Sequence, residues 1–444
     1  MKKLFALLLA LLMLVGCSNG GGGSTEVELA VDHEFYDAAT YTAESDALYA
    51  DIMGDYSELY DAAKAASSQS ERWALMAQAE AKMLEEAILL PSTTRGGNYA
   101  ITRIVPRSGS TVLWGNDSDR FESILVATDF LTPADRQAIK SQWEALKGTG
   151  TFLAWAKNYL AEQGYELKDS LTDAYSSDPQ TWDLHNTYRS ADTEKIWPTI
   201  DGLFVYDAEN VQQPGLATSV EVSDDGLVYT FHLREGVKWV DSQGREVGTL
   251  TADDFVAGMQ HLLDAEGGLE SLIAGDAITI KNAPAYLDGE ISDFAEVGVK
   301  ALDDYTVEYT LEEPASYFLS MLSYNMFAPL NRAYFESQGG TFGKDAFDPS
   351  ADSYLYGSDP EHIAYCGPYY ISSFTAENSI VWTANPSYWN AANVECKTVT
   401  WLYNDGSDAT KAYNDAKNGV IDGTALNTEA VDRKSTRLNS SHQI

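Results

Sequence analysis

Basic side chains are scarce in this sequence. Its 444 residues carry 29 Lys and Arg against 67 Asp and Glu, a formal charge of −38. A polyanionic surface repels phosphate backbones, which excludes general nucleic-acid binding, and it also excludes electrostatic adhesion to anionic lipid. Histidine is scarcer still. The six histidines, at positions 33, 185, 232, 261, 362 and 442, show neither a His-Glu-x-x-His motif nor any paired spacing, so a zinc hydrolase finds no support. Cysteine occurs at positions 17, 366 and 396 only, too few for a disulfide-built scaffold. The apolar run from Leu4 to Val15 is too short for a permanent bilayer span, which takes about 20 residues. What is present is ordinary for a folded protein: 44% hydrophobic and 22% charged residues, in a chain long enough for two or three domains. Aromatics reach 11%, with 26 Tyr and 10 Trp, which supply flat apolar area for cores and ligand clefts alike.

The two ends differ from the rest. Lys2 and Lys3 precede the apolar run, which closes on Leu14-Val15-Gly16-Cys17-Ser18-Asn19 and the flexible stretch Gly20 to Ser24. This pattern resembles a bacterial lipobox, and implies a signal peptide over 1–17, lipid on Cys17 and a linker over 18–29; the alternative is a plain secretory signal. Gly16-Cys17-Ser18-Asn19-Gly20 also fits the Gly-x-Ser-x-Gly hydrolase pattern, but without the strand-turn-helix context that gives it meaning. At the other end, Arg433, Lys434 and Arg437 stand in a stretch without acids. Residues 432–444 resemble the conceptual translation of a sequencing adapter, so the natural protein is expected to continue past this point; a genuine basic tail is the alternative. With Cys17 assigned to lipid, Cys366 and Cys396 become candidates for an extracytoplasmic disulfide, with two free buried thiols as the other reading.

Along the chain, Ala30 to Leu90 reads as helical, with Ser68 and Glu71 in a capping-box pattern and Pro91 as a stop. A second helix starts at Thr132-Pro133 and ends before Gly148, and a third runs from Phe152 to Gln163. Tyr99–Val105 and Thr111–Trp114 read as short strands. From Leu167 onward strands alternate with helices. Leu227, Tyr229, Phe231 and Leu233 alternate with polar or smaller residues, as do Val307, Tyr309 and Leu311. Thr251 begins a helix with Asp253 and Asp254 in its first turn. The expectation is an α/β protein of more than one lobe.

Several stretches resemble the extracellular solute-binding proteins of family 5, the peptide-binding lipoproteins of ABC importers. Ser177-Asp178-Pro179-Gln180-Thr181-Trp182-Asp183 resembles that family's opening strand, and Asp201-Gly202-Leu203 its next turn. The most specific run is Ser223 to Trp239, completed by Thr251-Ala252-Asp253-Asp254-Phe255. Gly298 to Asp304, Gly367-Pro368-Tyr369, Asn385-Pro386-Ser387-Tyr388-Trp389 and Gly419 with Ile421-Asp422 follow in the family's order. Residues 167–431 are thereby identified as a solute-binding lobe (family domains I and II). Ser70 to Pro106 resembles the family's C-terminal element, so 30–166 is expected to be a helical region that carries that element, either permuted or left from an upstream copy.

The resemblance implies a periplasmic-binding-protein-like lobed fold of cluster C type, its second main lobe largely missing. It also implies a function: a lipid-anchored, monomeric receptor outside a bacterial cytoplasmic membrane. Such a receptor captures an oligopeptide by lobe closure and passes it to an ABC permease and its ATPase, without a cofactor. Alignment places Tyr188 and Ser190 at the cleft, with Trp182 and Tyr369 near it; a helix cap is the alternative for Tyr188, and a core role for Trp182 and Tyr369. Nickel, haem or oligosaccharide cargo is the runner-up within this class. A surface-anchored hydrolase is the rival of another class. Its candidate carboxylate pairs, Asp224-Asp225, Asp253-Asp254 and Asp303-Asp304, lie at turns and a helix start, where solvated turn formers and caps are expected. Gly339 to Lys344 approaches a phosphate loop, but Gln338 and Asp345 occupy positions that need Gly and Ser or Thr.

Overall fold

The computed structural model describes residues 38–89, 99–275 and 277–426; Cys17, the linker 18–29 and the tail 432–444 lie outside them. Tertiary contacts divide the chain into Met1–Ser57 and Glu58–Ile444. The described part of the first unit is most of helix α1 (Ala38–Lys64), whose side chains from Thr42 onward are largely exposed. The second unit opens with the end of α1 and with α2 (Gln69–Glu85), where Ser68 accepts a hydrogen bond from Glu71 N at 3.3 Å as its cap.

Helices shorter than six residues aside, the elements then run β1 (Ala100–Thr102), β2 (Val126–Ala127), α3 (Pro133–Leu146), α4 (Phe152–Glu162), β3 (Leu167–Lys168), β4 (Ser170–Tyr175) and α5 (Ser190–Ile196). They continue with β5 (Phe204–Tyr206), β6 (Gln212–Pro214), β7 (Ala217–Val222), β8 (Val228–Leu233), β9 (Lys238–Val240), β10 (Glu246–Thr249) and α6 (Ala252–Ala265). After them come β11 (Val299–Asp303), β12 (Thr306–Thr310), α7 (Arg332–Ser337), β13 (Tyr369–Thr375), β14 (Ser379–Ala384), β15 (Thr398–Tyr403), α8 (Lys411–Asn418) and β16 (Gly423–Ala425).

Two four-stranded sheets share one continuous core. One is antiparallel, in the order β11-β12-β8-β7. Its central strands bury Tyr229, Phe231 and Leu233 on β8 against Val307 and Tyr309 on β12, the alternation expected from the sequence. Helix α6 packs along β11 and β12. The other sheet, β13-β14-β15-β4, ends in a parallel pair, β15 with β4. Beyond β4 the chain at Asp422 continues the surface: Asp422 N donates to Thr172 O at 2.7 Å, while Thr172 N donates to the Asp422 carboxylate at 2.7 Å. Strand β16 follows at once and pairs with β1.

Residues 99–166 lie in the second unit along with the residues after 167: β1 pairs with β16, β2 with β3, and Trp143 Nε1 on α3 donates to Ala208 O at 2.8 Å. Two strand expectations change. Ser177–Asp183 is the loop after β4, because Pro179 has no N–H and Gln180 N donates to the Asp192 carboxylate instead of to a neighbouring strand. Thr111–Trp114 is irregular, since Thr111 N is satisfied by Asn210 Oδ1 at 2.9 Å. Cys366 and Cys396 are both buried free thiols, so the disulfide reading gives way to its alternative. Cys396 Sγ lies 3.4 Å from Ile124 O, and burial pushes its thiol up to about 12.

Candidate ligand-facing site

The stretches that carry the family resemblance meet as structural joints. Trp239 Nε1 donates to Asp254 Oδ2 at 3.0 Å, and the same oxygen accepts from Thr251 N at 3.0 Å. Asp254 is therefore a buried acceptor, not the solvated cap expected, and burial raises its carboxyl to about 6. Asp253 pairs bidentately with Arg332 at 2.5 and 3.2 Å. At a second joint, Asp201 Oδ2 accepts from Tyr388 OH at 3.0 Å and from Trp389 Nε1 at 2.7 Å. Its other oxygen accepts from Arg120 at 3.0 Å, and Arg120 also meets Glu122 at 2.6 Å. Burial opposes the charge on Arg120, but Glu122 and Asp201 outweigh it and hold the group well above its ordinary value. Gly367 is a close-approach position: a Cβ there would come within 2.6 Å of the Thr199 backbone.

The four residues expected at the cleft separate into two pairs. Tyr188 and Ser190 are exposed, Tyr188 with 70% of its surface free. The loop that carries them is fixed from inside by Asp192, a buried carboxylate that accepts from Gln180 N at 2.9 Å and from Thr187 Oγ1 at 2.8 Å. The Tyr188 ring lies against Gly268, where a Cβ would come within 2.8 Å of the ring and where φ is +110°. Trp182 and Tyr369 are core residues, 3% and 0% exposed. Trp182 meets Phe374 edge-on at 5.0 Å, and Tyr369 OH donates to Cys396 O at 2.8 Å. Their core alternative is the one the structure adopts.

Sequence spacing did not reveal a buried Asp-His-His group. His261 Nε2 lies 2.7 Å from Asp183 Oδ2, and the His185 and His261 rings are 6.0 Å apart. Tyr354 OH donates to the same Asp183 oxygen at 3.2 Å. Burial, reinforced by His261, lowers His185 to about 4, so the imidazole is neutral at physiological pH. Burial pushes Asp183 up, but His261 outweighs it and leaves the carboxyl below its ordinary value. The adjoining cavity is about 10 Å³, lined in part by Trp182, His185 and Trp239, room for one water at most. The group is structural.

A larger opening, about 580 Å³, lies where β1, β16 and the segment after β1 face β4. Thr102, Arg107, Arg120 and Arg136 line it together with Asp173 and Thr424. Burial raises Asp173 to about 6, with Asp422 and Glu194 adding to the rise. Arg107 lies 4.5 Å over the Trp143 ring and donates to Thr111 Oγ1 at 2.9 Å; Arg136 donates to Ile104 O at 3.3 Å. Both charge signs and strand backbone therefore line this groove, together with apolar side chains that include Ile104, Val105 and Ile124. The phosphate-loop look-alike is committed elsewhere: Lys344 Nζ donates to Leu287 O and pairs with Glu266 at 2.6 Å. Among the described residues no group of three or more His, Cys, Asp or Glu is placed to hold a metal ion.

Comparison with known proteins agrees with this architecture. The family model for bacterial extracellular solute-binding proteins, family 5 Middle, matches residues 212–441. The oligopeptide-binding protein AmiA of Streptococcus pneumoniae serotype 4 is 38% identical over 234 residues, 53% of this chain and 33% of the relative. The chain thus spans about a third of the length of these curated relatives, 33% to 37%. Two crystal structures superpose: an oligopeptide ABC transporter from Bacillus anthracis (substrate-binding domain; TM-score 0.52, 29% identity, 62% of this chain and 48% of that one) and Haemophilus influenzae OppA in complex with RPPGFSPFR (TM-score 0.51, 26% identity, 62% and 49%). These are binding proteins, not enzymes. The chain belongs to the bacterial extracellular solute-binding proteins of family 5.

Proposed function

We propose that this chain is the solute-binding component of an ABC importer for short peptides. In this reading it faces the outside of a bacterial cytoplasmic membrane, is held there by lipid on Cys17, and hands its cargo to a permease and its ATPase. The observation that carries the proposal is the 38% identity to a protein named for oligopeptide binding. The groove beside β1 and β16, which neither Tyr188 nor Ser190 lines, adds strand backbone and both charge signs on the same lobe. A peptide of arbitrary sequence is best held through its main chain, with its charged termini near opposite charges and its side chains in wet pockets. Tyr188 and Ser190 are the proposed ligand contacts, while Trp182 and Tyr369 act from the core. Capture by closure requires a second jaw, which in the family comes from a later domain, so the proposal concerns the contribution of this lobe.

Titration calorimetry with a mixed pool of tri- to pentapeptides tests the reading. Saturable binding, weakened by Tyr188→Ala without loss of fold, is the expected outcome. Flat isotherms would sink the peptide assignment, and product release during incubation would favour the hydrolase. Binding that disappears on adding a chelator would point to metal cargo. A Cys17→Ala protein is expected in the soluble fraction, and its retention at the membrane would refute the anchor.

A further inference from the structure

A separate pocket of about 350 Å³ lies within the second unit and shares no lining residue with the groove beside β1 and β16. Its size is that of a small-molecule site. Lys64 comes from the end of α1 and Arg72 from α2; Trp114, Tyr317 and Met321 are among the other lining residues. Two cations on one wall are unusual in a chain of charge −38. Lys64 already has a partner, Asp61 at 2.9 Å. Arg72 makes no ion pair among the described residues: its guanidinium lies 4.8 Å over the Tyr317 ring, and its Nε is buried without a hydrogen-bond partner. A buried donor left unpaired is costly, and a carboxylate is the group whose geometry matches a guanidinium edge.

The opposite wall is aromatic and held in place. Tyr317 OH donates to Ala277 O at 2.6 Å, and Trp114 packs edge-on against Tyr324 at 5.3 Å. Met321, 3% exposed, supplies a polarizable surface that favours ring edges. We propose that this pocket is a second binding site, for a small aromatic carboxylate whose ring lies against Trp114, Tyr317 and Met321 and whose carboxylate pairs with Arg72. The same chemical group occurs on a free arylalkanoate and at the carboxyl end of a peptide that finishes in an aromatic residue.

Calorimetry of the full chain with indole-3-acetate, and with its neutral amide as control, tests the site. The acid is expected to bind saturably and at least about tenfold more tightly than the amide, the size of one charge-assisted hydrogen bond. Arg72→Gln is expected to remove that preference and Arg72→Lys to restore part of it. Ser320→Phe, which adds bulk at a lining position and leaves residue 72 an arginine, is expected to abolish binding of both compounds, and it keeps the test decisive if Arg72→Gln fails to fold. Displacement of indole-3-acetate by Gly-Gly-Trp would assign the carboxylate to a peptide end, and absence of displacement to a free arylalkanoate; either outcome upholds the site. Equal binding of acid and amide, or unchanged binding in both Arg72→Gln and Ser320→Phe, overturns it. Because Tyr188 is not part of this pocket, peptide binding that survives Ser320→Phe separates this proposal from the importer reading.

Discussion

Asp254 and Asp201 are both buried carboxylates at joints between family-like stretches, yet their partners differ. Asp254 is held by neutral donors, the Trp239 indole and the Thr251 and Arg332 backbone N–H groups. Asp201 sits against the guanidinium of Arg120, itself only 3% exposed. The first joint pins the start of α6 to β9, 15 residues away, and to the start of α7, 78 residues away. The second joins residues 120, 201, 388 and 389, and so fastens the 99–166 segment to the lobe. A joint built on neutral donors loses only dipoles when one member is removed. A long-range joint that buries a whole cation cannot lose one member without stranding a charge.

The largest expected effect breaks the second joint. Arg120→Met leaves Asp201 and Glu122 without their buried cation, and urea denaturation should show a loss of about 3–5 kcal/mol. A small loss would mean that water reaches the joint and that the two joints do not differ in kind. Asp254→Ala strands neutral donors instead, and the same measurement should give about 1–3 kcal/mol.

The pH dependence sharpens the difference further. The carboxyl of Asp254 is raised to about 6 in the fold, so its contribution is fully present below the unfolded value near 4 and is lost as pH rises through about 6. The stability gap between wild type and Asp254→Asn should therefore be widest near pH 4 and narrow toward pH 7. His185 has the opposite sign. Its lowered value means that its contribution is present above the unfolded value of about 6.5 and is lost as pH falls toward about 4. His185→Gln should flatten the acid limb of the denaturation profile; an unchanged limb would mean that other groups dominate it. The smallest effect is none. With Cys366 and Cys396 as free thiols, a reducing agent should leave the thermal midpoint where it is, and a drop of several degrees would restore the disulfide.

Part of this was legible from the residues. The alternation around Tyr229 and Phe231, and around Val307 and Tyr309, is visible because burial of one sheet face imposes a period of two. The Thr132-Pro133 helix start is visible because capping is a local chemistry, here Thr132 accepting from Asp135 N at 3.2 Å. The site was harder to read. Trp182 and Tyr369 share their residue types with cleft aromatics, and a flat ring with a polar tip serves a core equally well. Asp254 looked like an exposed cap because its helix position says nothing about Trp239 folding over it. His185 and His261 have no motif spacing, since a pair that meets through packing obeys no sequence period.

The mixed strand and helix pattern, the caps, the acidic surface and the collinear stretches that mark the family are properties of the linear chain. These follow from interactions between near neighbours or from bulk charge. Tertiary structure alone decided that 99–166 belongs with the lobe, that β16 lies beside β1, that the two thiols stay apart, and that Arg72 faces a pocket with its Nε unpaired. Each of those depends on which distant segments meet, and chain closure over that distance is settled by the packing of the whole core, not by the residues on either side.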